Sequence, residues 1–312
     1  MNLIKYKYIF FFISGIMIAA SIFAFFNYGL KPGIDFSGGT LWQLRPTQTN
    51  TDSTRTYAEE LKNFFENELN IKNVVIYQEE TSQSFIVRLA HISEEEHQQY
   101  LQALNNKFSP HESASSPRQS ALVEEIRYET IGPAIGAELK NKAIWAIILV
   151  IFGISLYVAY AFRQVSYPVK SWKYGLIVLI TLFHDVVISA GLLAYLGIKY
   201  GVELDTKFIV ALLVILGFSV HDTIVVFDRI RENLTINRVK ENLENIINVS
   251  VNQTFARSVN TSLTLVLVLL TLFFYGPLSL KYFVLLIMVG TIVGTYSSIF
   301  IASPMLLYFR NK

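Results

Sequence analysis

Long apolar runs separated by charged segments dominate the sequence. Six runs are long enough to cross a hydrocarbon core of about 30 Å, which takes about 20 helical residues. They cover residues 8–27, 143–162, 174–197, 208–227, 256–275 and 282–308. The last run is long enough to tilt or break, and Pro304 within it predicts a kink. The pattern therefore predicts a polytopic α-helical membrane protein with six transmembrane helices.

A polar segment at residues 29–141 interrupts this pattern between the first two runs. Its alternating and helical periodicities predict six elements, and Ser93 with Glu96 forms a capping box at the start of the second helix. The elements are a strand at 40–45, a helix at 53–69, strands at 73–78 and 84–90, a helix at 93–107 and a strand at 121–130. Their order is that of the split βαβ arrangement. We therefore expect transmembrane helix 1 at 1–28, a ferredoxin-like α+β periplasmic domain at 29–141 and helices 2–6 at 142–312.

Composition supports a membrane protein and excludes several kinds of site. The chain is 52% hydrophobic and 16% charged, with a mean hydropathy of +0.41, whereas soluble domains are about 25% charged. It has no cysteine, so disulfides and thiol chemistry are excluded. The sequence contains no phosphate-binding loop, zinc-protease motif or basic aromatic patch. We therefore expect no enzyme activity, metal, cofactor or nucleic-acid partner. We also expect His97, which follows three glutamates, to lie on a solvated helix face.

Basic residues predict the orientation of the helices in the membrane. The segments that share one side of a six-helix arrangement carry the following basic residues: Lys5, Lys7, Arg163, Lys170, Lys173, Arg229, Arg231, Arg238, Lys240, Arg310 and Lys312. The segment 31–142 has 11 basic and 16 acidic residues, a net charge of −5. Both termini are therefore expected in the cytoplasm. The first apolar run exceeds the usual signal-peptide length of about 7–15 residues, which predicts an uncleaved anchor.

Residues 232–254 form an amphipathic connector between the fourth and fifth apolar runs. Apolar residues recur there at helical spacing among charged and amide side chains. This pattern is typical of a helix that lies in the membrane interface. Two interpretations stay open: a plain connector on the membrane surface, or an element that contacts a partner and couples it to the fourth helix.

Charged residues inside the apolar runs are the main candidates for function. Asp222 lies about 8 Å from the cytoplasmic end of the fourth run, at about 1.5 Å per residue, and Arg257 begins the fifth run. A charge at membrane depth costs about 2.5–3.5 kcal/mol, so it is usually functional. We expect the two to form a buried pair that couples to protons, although a static pair that locks the helices together is the alternative. Candidate supporting residues for a relay are His184, Asp185, His221, Asn260, Thr261 and Thr264.

Five motifs spread along the chain resemble a known family. They lie at residues 33–40 (GIDFSGGT), 131–138 (IGPAIGAE), 183–188 (FHDVVI), 217–233 (GFSVHDTIVVFDRIREN) and 252–264 (NQTFARSVNTSLT). Together they resemble the SecD/SecF family of protein-export membrane proteins, within the resistance–nodulation–division superfamily, on its SecF side. The resemblance covers essentially the whole chain. It departs at His221, where the family pattern leads us to expect a neutral amide.

The resemblance implies a role in protein export across the bacterial inner membrane. It implies partnership with SecD, the SecYEG channel, YajC and the translocating precursor. The proton-motive force would drive late translocation through Asp222 and Arg257. Two other functions stay open from the residues alone. One is an exporter of small molecules or lipids, although such proteins usually have twice as many helices. The other is a scaffold that stabilises its partner.

Overall fold

The chain folds into two compact units, which the computed structural model describes at residues 2–46, 54–79, 83–108, 123–163, 169–236 and 242–309. Residues 1–31 and 142–312 form one unit, here called the helical bundle, and residues 32–141 form the other, here called the sheet domain. In chain order the elements are α1 (Lys7–Tyr28), α2 (Ile34–Ser37), β1 (Gly39–Pro46), α3 (Thr54–Asn63), β2 (Val75–Glu79), β3 (Ser84–Leu89), α4 (Glu94–Phe108), β4 (Val123–Ile131), α5 (Pro133–Ala161), α6 (Ser171–Tyr200), α7 (Thr206–Ile236), α8 (Leu243–Tyr275), α9 (Lys281–Ser297) and α10 (Ser303–Met305).

Among the described residues, six helices are long and apolar enough to span a membrane, which confirms the predicted architecture. They are α1, α5, α6, α7, α8 and the continuous stretch from α9 into α10. In their most apolar windows, 50–67% of residues are buried in α6, α7 and the α9 stretch, against 11–17% in α1, α5 and α8. Helices α6, α7 and α9 therefore form the interior of the bundle, and α1, α5 and α8 surround them.

Small residues allow the interior helices to approach closely. A Cβ added at Gly294 would lie 2.8 Å from the Cβ of Ser219, and one added at Gly290 would lie 2.3 Å from Cδ1 of Ile215. The Gly290–Gly294 spacing thus places the backbone of α9 directly against α7, as small residues do at helix contacts in membranes.

The last span departs from a regular helix just before Pro304. A π-helical turn at Ser298–Ala302 joins α9 to α10. Proline has no backbone N–H, so Pro304 cannot donate to the carbonyl of Phe300 as a regular α-helix requires. The hydroxyl of Ser303 donates to the carbonyl of Ser298 at 3.0 Å. The predicted kink at Pro304 stays a prediction, and the structure places a wider, π-helical turn directly before the proline.

The predicted connector at 232–254 is not a separate surface helix where the structure describes it. Residues 232–236 are the last turn of α7, and residues 243–254 are the first turns of α8. Leu243 and Ile247 are buried in one cluster with Leu3 and Ile4. Their apolar side therefore faces protein rather than a membrane surface. This end of the bundle, where α1 begins, α7 ends and α8 begins, is called the basic end below.

Among the described residues of the sheet domain, four antiparallel strands lie in the order β2-β3-β1-β4. Two helices pack on the sheet through Leu61, Phe65 and Leu104, and Trp42 is fully buried among them. The order of elements and strands is compatible with the predicted ferredoxin-like arrangement. The helix predicted at 53–69 is α3 followed by a π-helical turn at Phe64–Glu68.

His97 does not lie on a solvated face, and that prediction was wrong. Its side chain is 5% exposed and stacks on the ring of Tyr128, with centroids 3.7 Å apart. Its Nε2 lies 2.7 Å from Oε2 of Glu125, which also accepts a bond from the indole of Trp42. The sequence showed three glutamates beside the histidine, but the sheet places a fourth, Glu125, against its ring.

Candidate functional site

Two buried carboxylates lie at the centre of the helical bundle. Asp185 is close to the midpoint of the 30-residue α6, and Asp222 is close to the midpoint of the 31-residue α7. Their exposures are 0% and 2%. The helix α7 continues 14 residues beyond Asp222, about 21 Å along the helix axis, and its last turns carry charged side chains.

Asp222 is joined to two neighbouring helices by a short series of hydroxyl groups. Thr295 of α9 donates to its Oδ2 at 2.9 Å. The hydroxyl of Thr295 is also bonded to Ser262 of α8. Ser262 can donate either to Thr295 or to the carbonyl of Ser258, but not to both at once. The contacts of Asp222 therefore come from groups that can both donate and accept hydrogen bonds.

Asp185 has a different set of partners. Nδ1 of His184 donates to its Oδ1 at 2.8 Å. The hydroxyls of Ser219 on α7 and Ser297 on α9 donate to its Oδ2 at 2.6 and 3.0 Å. The other ring nitrogen of His184, Nε2, lies 3.0 Å from the hydroxyl of Ser14 on α1. Four helices therefore meet at this one carboxylate and its histidine.

Both carboxylates share α7 and α9. Ser219 lies one helical turn from Asp222, and its backbone carbonyl accepts bonds from Thr223 and Ser298. On α9, Thr295 binds Asp222 and Ser297 binds Asp185. The π-helical turn begins at the next residue, and such turns are frequent at functional sites. Both carboxylates therefore contact the same short segment of α9.

The expected pair of Asp222 with Arg257 does not form within the described residues of this chain. Arg257 is exposed and lines a polar groove between α7 and α8 with Asp228 and Glu232. The cause is rotational: neighbouring helical positions differ by about 100°. Ser258 and Ser262 face the interior of the bundle, and Arg257 therefore faces outward.

The remaining predicted residues fall into two groups. His184 and Asp185 are buried at the site. His221, Asn260, Thr261 and Thr264 are exposed. The last three share the outward side of α8 with Arg257, and these four side chains are called the polar outer face below. A role of any of these residues in proton coupling stays a prediction.

Sequence reasoning missed the hydroxyl groups that hold the carboxylates: Ser14, Ser219, Ser262, Thr295 and Ser297. Hydroxyls are common in membrane helices, where they also bond to carbonyls of their own helix, as Ser262 does here. One signal was available. Ser219 and Thr223 flank Asp222 on one face of α7, and Thr295, Ser297 and Ser298 follow Gly294 directly.

Comparisons with known proteins agree with this architecture. The family model described as protein export membrane protein SecD/SecF, C-terminal, matches residues 112–312, and the SecD/SecF GG motif model matches residues 23–49. The protein translocase subunit SecF of Thermobaculum terrenum is 38% identical over 320 residues, covering 100% of this chain and 94% of the relative. The SecF subunit of Helicobacter pylori J99 is 30% identical, covering 96% of this chain and 87% of the relative.

A solved structure extends the likeness to three dimensions. The crystal structure of SecDF from Thermus thermophilus, described as a translocon-associated membrane protein, matches with a TM-score of 0.76 at 33% identity. The match covers 99% of this chain but only 38% of that chain, so this chain corresponds to the smaller part of a fused protein. The curated relatives are named as translocase subunits, which is a transport role. On these grounds the chain belongs to the SecD/SecF family of protein export membrane proteins, among its SecF subunits.

Proposed function

We propose that this protein acts with SecD to drive late-stage translocation of precursor proteins through the SecYEG channel, using the proton-motive force. It would do so in the bacterial inner membrane, with the basic end and both termini in the cytoplasm and the sheet domain outside. The distribution of basic residues supports this orientation. Association with YajC and membership of the resistance–nodulation–division superfamily stay predictions, and no cofactor beyond the gradient is proposed.

The observation that carries the proposal is the setting of Asp222. A carboxylate 2% exposed at the middle of a membrane-spanning helix is costly, and such groups commonly mark ion or proton pathways. Hydroxyl groups suit a group that gains and loses a proton, because each can rotate from donor to acceptor. An arginine in this place would favour only the ionised state. The bond from Thr295, which is itself bonded to Ser262, therefore suits a proton carrier better than a static ion pair.

The polar outer face indicates where SecD would bind. An arginine facing lipid costs about 2.5–3.5 kcal/mol, and Arg257, Asn260, Thr261 and Thr264 are all exposed on one side of α8. A polar surface on a neighbouring membrane helix would remove this cost. The Thermus thermophilus relative is a SecDF protein of which this chain matches 35%, which supports a SecD partner. We therefore place SecD against α8.

The membrane potential supplies energy to each proton that crosses. One elementary charge gains about 2.3 kcal/mol per 100 mV. In this proposal protonation of Asp222 rearranges its bond to Thr295 of α9 and, through Thr295, the contact with Ser262 of α8. The polar outer face then passes this change to SecD.

The test measures completion of translocation by a trapped precursor in inverted inner-membrane vesicles. It compares the native protein with Asp222→Asn, at matched levels of assembled SecD complex, with and without a proton gradient. Asp228→Asn is the matched control, because Asp228 lies on the same helix but is exposed and paired with Arg231. We expect the gradient to speed completion with the native and Asp228→Asn proteins, and not with Asp222→Asn.

Two other outcomes would change the conclusion. If native and Asp222→Asn complexes respond equally to the gradient, Asp222 does not couple protons and the proposal fails. If Asp222→Asn lowers the amount of assembled SecD complex, and the response per assembled complex stays at the native value, the residue has a structural role and the scaffold function gains support.

A further inference from the structure

The His184–Asp185 pair is separate from the contacts of Asp222 and has an unusual charge balance. Asp185 is fully buried, and the side chain of His184 is 5% exposed. In the part of the chain that the structure describes, His184 is the one ionisable side chain that bonds to Asp185. The remaining contacts of the pair are the neutral hydroxyls of Ser14, Ser219 and Ser297.

Because the pair is buried, its most favourable protonation state is the one with no net charge. An ionised carboxylate beside a neutral imidazole would leave one uncompensated negative charge in the interior of the membrane, and isolated buried charges are strongly unfavourable. A single proton removes this charge, either on the imidazole as an ion pair or on the carboxylate as a neutral acid. Both arrangements keep the bond of 2.8 Å between Nδ1 and Oδ1.

We propose that His184 and Asp185 form a second proton-binding site, distinct from Asp222, in which the two side chains share one bound proton. The pair and Asp222 are coupled through α7 and α9. Ser219 contacts Asp185 one turn from Asp222, and Ser297 and Thr295 of α9 bind one carboxylate each.

The coupling has a direct chemical basis. Oδ2 of Asp185 accepts two hydroxyl bonds, from Ser219 and Ser297. Relocation of the shared proton to this oxygen makes it a donor, so one of the two hydroxyls must turn away. On the opposite side of the imidazole, Nε2 of His184 is hydrogen-bonded to the hydroxyl of Ser14 on α1. The pair therefore contacts α1, α7 and α9, whereas Asp222 contacts α9 and, through Thr295, α8.

The neighbourhood of the pair limits the alternatives. The elements packed against it, α1, α7 and α9, present the hydroxyls of Ser14, Ser219 and Ser297. Two further ionisable groups lie on these elements: Asp222 on α7, and Tyr296 on α9, whose hydroxyl donates to the carbonyl of Phe10 on α1. His221 is exposed and lies on a different face of α7 from Asp222. Within the described residues, no lysine or arginine forms an ion pair with Asp185. The compensating proton must therefore be held by the pair itself.

The test measures protonation in the full chain assembled with SecD in lipid vesicles. Histidine ¹⁵N resonances report the charge of His184, and infrared difference spectra report protonated carboxyl groups. Asp185→Asn, His184→Gln and Asp222→Asn are compared with the native protein. Ser189→Ala is the control, because Ser189 lies one turn away on α6 and its buried hydroxyl has no hydrogen-bond partner among the described residues.

We expect either a charged His184 or a protonated Asp185 near neutral pH. In Asp185→Asn the imidazole of His184 should be neutral and the infrared signal of a protonated Asp185 should be absent, whereas Ser189→Ala should leave both signals unchanged. A neutral His184 beside an ionised Asp185 near neutral pH would overturn the proposal.

The role of this site in translocation rests on the proposed function, but failure of the second site can be distinguished from failure of the proposed function. Gradient-dependent translocation should be lost in Asp185→Asn and retained in Ser189→Ala. If Asp185→Asn keeps the full gradient response while Asp222→Asn loses it, the second site is not part of the cycle and the proposed function stands. If neither variant loses the response, the proposed function fails, while the protonation spectra still decide whether the pair binds a proton.

Discussion

Replacing Gly38 with alanine should destabilise the sheet domain strongly. Gly38 ends the short helix α2 with a φ of +71°, and an added Cβ would lie 2.8 Å from Cα of Pro133 and 3.3 Å from the carbonyl oxygen of Ile131. These neighbours are backbone atoms where β4 ends and α5 begins, so they cannot rotate away. The segment after α1 is thus packed against the segment that leads into α5, and only glycine fits between them.

The magnitude follows from two separate costs. At Gly38 φ is +71° and ψ is 168°, a conformation open almost only to glycine, and another residue there costs about 1–3 kcal/mol. Overpacking costs about 1–3 kcal/mol, so the sum for Gly38→Ala is about 2–6 kcal/mol. Gly136→Ala isolates the overpacking cost, because its Cβ would lie 2.9 Å from the amide nitrogen of Gly38 in a regular helix. Alanine regains up to about 1 kcal/mol of helix propensity there, so the net loss is about 0–3 kcal/mol.

Urea unfolding of the full chain in mild detergent measures these differences. Trp42 is fully buried in the sheet domain, whereas Trp145 and Trp172 of the bundle are exposed and are replaced by phenylalanine. With a slope of roughly 2 kcal/mol per molar urea, Gly38→Ala should lower the midpoint by about 1–3 M. The control is Gly132→Ala, where the nearest atoms lie 3.9 Å away and little change is expected.

The refuting result is a Gly38→Ala midpoint that equals that of Gly132→Ala, since the backbone must then yield without cost. Equal losses in Gly38→Ala and Gly136→Ala would show that steric contact dominates and that the positive φ contributes little.

Two further predictions concern the helix contact and the acid stability. Gly294→Ala should destabilise the bundle by about 1–3 kcal/mol, because the added Cβ would contact Ser219. Gly217→Ala in α7 is the control, because its Cβ would meet no atom within 4 Å. Detergent-induced unfolding measures the stability of both variants, and equal stabilities would contradict the predicted contact. Hydrogen bonds from Gln98 and His97 hold the pKa of Glu94 below its ordinary value. This stabilisation is present above the ordinary glutamate pKa and is lost as the pH falls through the lowered value. Glu94→Gln should therefore reduce the acid dependence of the urea midpoint, and an unchanged dependence would show that the bonds do not stabilise the domain.

Much of the fold followed from local patterns. The length of each apolar run determined that six helices span the membrane, since lipid leaves few alternatives for an apolar backbone segment. Periodicity and turn residues gave the order of strands and helices at 39–131, with boundaries within a few residues of the structure. The capping box at Ser93 and Glu96 forms as predicted, with both reciprocal bonds present. Such features depend on neighbours in the chain, so the sequence alone contains them.

The partners of the buried carboxylates depended on the tertiary structure. The sequence placed Asp222 and Arg257 on consecutive helices with opposite charges, yet the rotation of α8 turns Arg257 outward and Ser262 inward. That rotation is decided by packing of whole helices, in which Gly294 brings α9 against α7 and aligns Thr295 and Ser297 with two different aspartates. Long-range contacts between residues more than 70 positions apart leave no local pattern. The sequence therefore determined which charges enter the membrane, and only the packed bundle decided which groups they meet.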